Sequence, residues 1–241
     1  MGRAQPPPVV FVHGTRLGAA QWNRQLADFR ASTHAWAVDL PGHGTRRDER
    51  FTMDAAIARV VESVGSDTAG APIVVGHSLG GYVAMALAAR HPRLVRALLL
   101  VNCTASTRGL HTAAHRLLAA ALPRLRADRV AGIGDRALRR YPPEVTAPLL
   151  ASGYAHEAIP ASWRGVLDLD ALATLAGVEV PVLYLNGQRD RLFRLHERSF
   201  LTAVRGSRLE LIAGAGHLCN LDAPAAFSQA VDRFMREVAC R

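Results

Sequence analysis

The stretch from Pro72 to Arg90 constrains this chain more than any other part of it. Ile73–Val75 is a short apolar run, residues 76–81 read Gly-His-Ser-Leu-Gly-Gly, and a helical pattern follows from Gly81. A strand, a sharp Gly-x-Ser-x-Gly turn and a helix in that order are typical of a nucleophile elbow, which lifts a serine hydroxyl clear of a sheet. The glycines remove the Cβ atoms that would clash where strand and helix cross. The pattern predicts that Ser78 is a nucleophile; the alternative is a glycine-rich turn with an incidental serine.

The rest of the chain alternates apolar strand-like runs with amphipathic patterns. Helices are expected over 20–29, from a capping Thr52, from Gly81, from Asp190 through Phe200 and from Pro224. The strands are expected at 9–12, 34–39, 73–75, 95–101, 180–185 and 209–213. This alternation predicts an α/β fold, a sheet of six parallel strands with helices on both faces.

The composition limits the class of protein. The chain has 241 residues, is 49% hydrophobic, and has no apolar run near the roughly 20 residues of a membrane span. Met1–Pro8 holds no apolar segment of the kind found in a signal peptide, so we expect a cytoplasmic protein that does not bind membranes. All 29 basic residues are arginine and the net charge is +9, but no basic run is interleaved with aromatic residues, so nucleic-acid binding is not expected. The three scattered cysteines indicate neither disulfides nor a zinc site.

Polar residues follow the predicted strands, where the carboxyl ends of a parallel sheet gather functional groups. A serine needs a base within hydrogen-bond reach, and the base needs an orienting group. His217 follows the last strand and Asp190 the strand before it, so they can supply both. The order serine, aspartate, histidine is the order associated with this elbow. His13, His43, His77 and Asp39 also lie near strand ends, and we expect them to pack and to hold loops by hydrogen bonds.

Five motifs together resemble the α/β-hydrolase superfamily over essentially the whole chain. They are FVHGTR at 11–16, DLPGHG at 39–44, GHSLGG at 76–81, NGQRD at 186–190 and GAGHLCNLDAP at 214–224. The resemblance implies a triad of Ser78 as nucleophile, His217 as general base and then acid, and Asp190 as the carboxylate that holds the imidazole. It also implies an oxyanion hole made by the backbone N–H groups of Thr15 and Leu79.

The resemblance also suggests where the chain departs from other members. Only about eight residues precede the first strand, so the N-terminal hairpin of many members is expected to be absent. Residues 103–177 carry helical spacing broken by prolines and fall where the superfamily places a lid. We therefore expect a core of 1–102 and 178–241 with a helical lid of 103–177.

Substrate contacts are the least constrained expectation. Trp163, Tyr154 and Leu110 are candidates to line the pocket, and Arg16 is a candidate to grip a substrate carboxylate. Eight arginines against two aspartates between Cys103 and Tyr141 form either a solvated helical surface or a surface that attracts an anionic substrate. The arginines are 108, 116, 124, 126, 129, 136, 139 and 140.

The sequence therefore predicts a serine hydrolase without cofactor or metal, a monomer or homodimer that cleaves a small carboxylic ester or lactone. A thioesterase or a C–C bond hydrolase would use the same triad. A ligand receptor or a non-hydrolytic tailoring cyclase is the alternative from another class. Epoxide hydrolases and haloalkane dehalogenases of the superfamily carry an aspartate in place of Ser78, so an alkyl-enzyme mechanism is not expected.

Overall fold

One parallel sheet organises the molecule. The computed structural model describes residues 6–65, 70–109, 112, 113, 116, 117 and 138–240. The strands are β1 (Val9–Val12), β2 (Ala35–Val38), β3 (Ile73–His77), β4 (Ala97–Val101), β5 (Val182–Gly187) and β6 (Arg208–Ile212). They lie in the order β2-β1-β3-β4-β5-β6, and every neighbouring pair is parallel. The predicted parallel sheet of six strands is confirmed.

Helices connect the strands, with several short ones between β4 and β5. They are α1 (Asn23–Phe29), α2 (Met53–Gly65), α3 (Leu79–Arg90), α4 (Pro143–Ala151), α5 (Ile159–Asp168), α6 (Ala171–Leu175), α7 (Glu197–Ala203), α8 (Cys219–Asp222) and α9 (Pro224–Ala239). Short 3₁₀ turns occupy Ala19–Trp22, Gly44–Arg46, Pro92–Leu94 and His156–Ala158. Among the described residues, no helix is long and apolar enough to cross a membrane.

Both faces of the central strands β1, β3, β4 and β5 are buried, which is why these strands are almost wholly apolar. The edge strands β2 and β6 are only partly buried. Val9 and Phe11 of β1 face the cluster that contains α1 and α9, whereas Val10 and Val12 face the cluster that contains α2, α3, α6 and α7. This alternation follows from the two-residue repeat of a strand. The prediction of helices on both faces is therefore confirmed.

The helical patterns agree with the sequence in their buried faces. The backbone N–H of Ala55 donates to Thr52 Oγ1 at 3.0 Å, so Thr52 caps α2 as expected. Ile57, Val60 and Val64 of that helix are buried in the core. In α9 the buried stripe contains Phe227, Ala230, Val231, Phe234 and Val238.

Two helix boundaries differ from the expectation. Helix α3 begins at Leu79, directly after Ser78, instead of at Gly81. The helix expected to run from Asp190 is wrong for residues 191–196, which form turns, and α7 begins only at Glu197. The backbone N–H of Phe193 donates to Asp190 Oδ1 at 3.2 Å, and the Phe193 ring packs on His217. These contacts hold residues 191–196 against Asp190 and His217 at the end of the sheet.

Buried polar groups hold the loops at the carboxyl ends of β1 and β2. The backbone N–H of Leu40 donates to His13 Nε2 at 3.0 Å, and His13 Nδ1 donates to the carbonyl of Gly14 at 2.9 Å. Asp39 accepts from the backbone N–H groups of Ala19 at 2.7 Å and Thr45 at 3.0 Å. The loop-holding roles expected for His13 and Asp39 are confirmed.

Burial controls the charge of His13. The ring is fully buried, and desolvation of its charged form lowers the pKa of His13 to about 3, with the neighbouring His43 acting in the same direction. The unfolded chain, where the histidine pKa is near 6.5, therefore binds one more proton than the folded chain between about pH 6.5 and pH 3. The free energy of unfolding must fall as the pH decreases through this range.

We expect His13→Asn to remove part of this acid sensitivity. Between pH 7.5 and 5.0 the contribution of His13 to the free energy of unfolding falls by about 2 kcal/mol, because the unfolded state binds a proton that the folded state does not bind. Urea unfolding at the two pH values should show a smaller fall in the variant than in the wild type. The exposed His91 offers a matched control, since His91→Asn should keep the wild-type fall. An identical fall in all three proteins would contradict the assignment.

Candidate active site

Ser78 stands at a strained turn between β3 and α3. Its φ of 51° lies in the left-handed region that residues with a side chain rarely adopt. The turn is tight because the backbones on either side are in contact. A Cβ on Gly76 would lie 2.3 Å from the carbonyl oxygen of Gly80, and a Cβ on Gly80 would lie 2.3 Å from that of Val12. Only glycine fits these positions, so the sequence Gly-x-Ser-x-Gly follows from the backbone crossing.

The three residues of the predicted triad come together at the carboxyl ends of the strands. His217 Nε2 lies 3.2 Å from Ser78 Oγ, and His217 Nδ1 lies 2.6 Å from Asp190 Oδ2. Both distances are within hydrogen-bond reach. With Nδ1–H donated to the carboxylate, Nε2 is left to accept the serine proton. The arrangement can therefore deprotonate the Ser78 hydroxyl when an electrophile approaches.

Burial and ring packing fix the acid and the base. Asp190 is 6% exposed, and its Oδ1 accepts from the backbone N–H of Phe193 while Oδ2 faces His217. The Phe193 ring lies parallel to the His217 imidazole, with centroids 4.3 Å apart and an interplanar angle of 28°. Asp190 and Phe193 therefore contact the imidazole and orient it toward Ser78.

Asn102 performs a role that the sequence did not indicate. Its side-chain Nδ2 donates to the carbonyls of Gly216 at 3.0 Å and His217 at 2.5 Å, while its Oδ1 accepts from the N–H of Gly187 at 2.7 Å. Asn102 thereby ties the end of β4 to the end of β5 and to the loop that carries the histidine. Its place directly after a predicted strand is the only signal for this role in the sequence.

A buried chain of hydrogen bonds joins the loop after β1 to the same histidine. The N–H of Gly14 donates to Gln21 Oε1 at 2.9 Å, Gln21 Nε2 lies 3.0 Å from His77 Nδ1, and His77 Nε2 lies 2.8 Å from the carbonyl of His217. Desolvation by burial lowers the pKa of His77 well below its usual value, so the ring is neutral. Nε2–H then donates to His217, and Nδ1 accepts from Gln21. The loop-holding role expected for His77 is confirmed, but the sequence does not predict the part played by Gln21.

The groups expected to form an oxyanion hole border the space above Ser78. Thr15 and Leu79 both line the cavity that opens at the serine. Among the described residues, the N–H groups of Thr15 and Leu79 donate to no other part of the protein. Leu79 is also the first residue of α3, where the partial positive charge of a helix N-terminus favours negative charge.

The cavity has a volume of about 200 Å³. Trp163 lines it as predicted, together with residues of α5 and of the 191–196 turns. Two other candidates, Arg16 and Tyr154, do not line the cavity. They contact each other instead, with the guanidinium carbon of Arg16 5.3 Å from the ring centroid of Tyr154. Leu110 and four of the predicted lid arginines, 124, 126, 129 and 136, lie outside the described residues. Within the described ranges, no three metal-ligating side chains of His, Cys, Asp or Glu come together.

Known proteins share parts of this sequence and the whole of this fold. Residues 9–230 match the sequence model of the alpha/beta hydrolase family. The pimeloyl-[acyl-carrier protein] methyl ester esterase of Neisseria meningitidis is 28% identical over 248 residues, which cover 95% of this chain and 94% of that protein. A hydrolase from Pseudomonas aeruginosa has a TM-score of 0.80 at 26% identity, with 98% and 92% of the two chains covered. The enol-lactonase from Burkholderia xenovorans shares the fold, with a TM-score of 0.80 at 20% identity over 95% and 91% of the chains.

We expect Gly76→Ala to destabilise the protein because its new Cβ would meet the backbone of the following helix. The free energy of unfolding should fall by about 1–3 kcal/mol, the usual range for overpacking. Gly177→Ala is the matched control, since nothing lies within 4 Å of a Cβ at that exposed position. Urea unfolding of the two variants measures the difference. Equal stability of Gly76→Ala and Gly177→Ala would show that the crossing tolerates a side chain.

Proposed function

Because the chain belongs to the alpha/beta hydrolase family, we propose that it is a serine hydrolase that cleaves a carboxylic ester or lactone through an acyl-enzyme on Ser78. The hydrogen-bonded line from Ser78 through His217 to Asp190 is the observation that carries this proposal. The esterase from Neisseria that covers nearly the whole chain supports ester cleavage.

The first half of the reaction transfers the acyl group to the enzyme. Ser78 Oγ bonds to the substrate carbonyl carbon as its proton passes to His217 Nε2, and the carbonyl electron pair moves onto oxygen. Asp190 stabilises the resulting imidazolium. When the tetrahedral intermediate collapses, the bond to the alcohol oxygen breaks, and that oxygen takes the proton from His217 Nε2.

The second half releases the acid. A water molecule gives a proton to His217 Nε2 while its oxygen bonds to the acyl carbon. The bond from that carbon to Ser78 Oγ then breaks, and Oγ recovers its proton from His217. The enzyme returns to its starting state, so the net reaction consumes one water for each ester.

Negative charge develops on the carbonyl oxygen in both halves. We assign its stabilisation to the N–H groups of Thr15 and Leu79. Removing one such donor in other hydrolases costs about 3–4 kcal/mol in the transition state. The hydrogen bond from Gly14 to Gln21 supports this assignment, because it fixes the residue next to Thr15.

The proposal keeps the domain organisation expected from the sequence. Residues 103–177 would act as a lid over a core of 1–102 and 178–241, and Trp163 would contact substrate from the lid side. Because Arg16 lies over Tyr154, outside the cavity, it would bind only a substrate carboxylate that extends beyond the cavity. The proposed enzyme needs no cofactor or metal, works in the cytoplasm, and is a monomer or homodimer.

We expect a fluorophosphonate to add once to the wild-type protein and not at all to Ser78→Ala. Ser228 is a matched control, since it is 9% exposed like Ser78 but bonds to Asp28 away from the site. Intact-mass measurement reads the adduct, and peptide mapping locates it. Ser78→Ala should also lower ester hydrolysis by about 10⁴-fold or more, whereas Ser228→Ala should leave it unchanged.

The same experiment separates the alternatives. Ester hydrolysis retained by Ser78→Ala, or an adduct elsewhere, would overturn the mechanism. Labelling of Ser78 without turnover of any ester or thioester would favour a ligand receptor or a non-hydrolytic cyclase. Faster turnover of thioesters than of matched oxygen esters would identify a thioesterase that uses the same three residues.

A further inference from the structure

Most of the described hydroxyl side chains on the cavity wall donate to the protein itself. Besides Ser78 and Thr15, the described lining residues include four such side chains, and each donates its proton to a backbone carbonyl. The pairs are Tyr82 with Ala105 at 2.7 Å, Ser106 with Arg108 at 3.1 Å, Thr112 with Gly109 at 2.7 Å, and Thr107 with Leu169. These groups therefore offer no hydroxyl proton to a ligand without losing a bond to the backbone.

The other described residues of the wall are apolar, apart from His196. Its Nδ1 accepts from the backbone N–H of Ser106 at 3.1 Å. No arginine, aspartate or glutamate occurs among the described residues that line the cavity. The apolar lining residues are Leu79, Ala105, Trp163, Val166, Leu167, Leu192, Phe193 and Leu195.

Three described arginines of the expected lid pair with carboxylates away from the cavity. Arg108 and Arg116 pair with Asp170 and Asp168 at 3.7 and 3.4 Å. Arg140 pairs with Asp222 at 3.2 Å. None of the three lines the cavity. These arginines favour a solvated, ion-paired surface over the binding of an anion beside Ser78.

We propose that the part of the substrate that fills this cavity is a compact, uncharged and apolar group. The inference rests on the proposed function and names the substrate class of the same site. A carboxylate there would lose its hydration and meet no arginine among the described lining residues, and an amide would exchange its water for a mostly apolar wall, which is costly. An apolar group would lose no hydrogen bond and would remove the wall from water.

The cavity volume limits the size of that group. An apolar protein cavity of about 150 Å³ accommodates benzene. At about 200 Å³, this cavity suits a branched alkyl or a single aromatic ring.

Three methyl esters of the same shape test the proposal on the acyl side. Methyl 4-methylpentanoate, methyl 3-carbamoylpropanoate and monomethyl succinate differ only in ending with an isopropyl, a carboxamide or a carboxylate group. We expect kcat/KM to fall by at least about tenfold from the first to the second, and by about 100-fold from the first to the third. Release of methanol measures each rate.

Three acetates carry the same end groups on the alcohol side. They are the acetates of 3-methylbutanol, of 3-hydroxypropanamide and of 3-hydroxypropanoate. The proposal is supported if the isopropyl group is preferred in at least one series and the carboxylate in neither. It is overturned if neither series shows a difference in kcat/KM among the three end groups, or if either series favours the carboxylate.

Two leucine variants show whether the preference arises in the cavity. Leu192 lines it, Leu211 on β6 does not, and both are 43% exposed, so each should accept an arginine at the surface. Leu192→Arg should raise the ratio of carboxylate to isopropyl hydrolysis by about fivefold, the gain of a partly exposed ion pair. Leu211→Arg should leave the ratio unchanged. An equal effect of the two variants would place the discrimination outside the cavity and overturn the proposal.

A binding measurement keeps the test independent of turnover. Boron accepts an electron pair from Ser78 Oγ while the hydroxyl proton passes to His217, so boronic acids can protect Ser78 from fluorophosphonate. We expect 3-methylbutylboronic acid to protect at concentrations at least about tenfold lower than 3-boronopropanoic acid. Equal protection, or better protection by the acid, would reject the apolar cavity, while Ser78 labelling together with ester turnover would still support the proposed hydrolase. Absence of labelling at Ser78 would reject the proposed function itself.

Discussion

The backbone crossing between β1, β3 and α3 is the constraint on which the site depends. Gly76 meets the carbonyl of Gly80, and Gly80 meets that of Val12, with no space for a side chain at either position. This close approach holds Ser78 at a φ that is otherwise unfavourable, so the strain is borne by packing of the surrounding sheet. It also makes Leu79, the residue after the serine, the first residue of α3.

The loop that carries His217 is held chiefly through its backbone. The His217 carbonyl accepts from both Asn102 and His77, which reach it from the ends of β4 and β3. Since His77 is neutral, its single donor is directed at that carbonyl, and Gln21 fixes its other nitrogen. The imidazole side chain is left to Asp190 and Ser78. Residues on four separate segments thus fix one base.

Charge and apolar surface are separated within this molecule. The net charge of +9 is carried by arginines, several of which pair with surface carboxylates, and the described cavity wall has none of them. Under the proposed function, electrostatic attraction would act on an approaching substrate over the surface, while the space above Ser78 would select by shape and by absence of charge. Net charge alone would have suggested the opposite preference for the site.

The sequence was sufficient for the sheet, the elbow and the order of Ser78, Asp190 and His217, because these follow from short-range periodicity and from turns that need glycine. It did not indicate the bonds of Asn102 and Gln21, the position of Arg16 over Tyr154, or the turns at 191–196. Each of these depends on partners far away in the chain: Gln21 meets His77, and Asn102 meets the loop at 216–217. Local patterns carry no information about which buried amide faces which carbonyl. That choice is made only when the strands align and every buried polar group must find a partner.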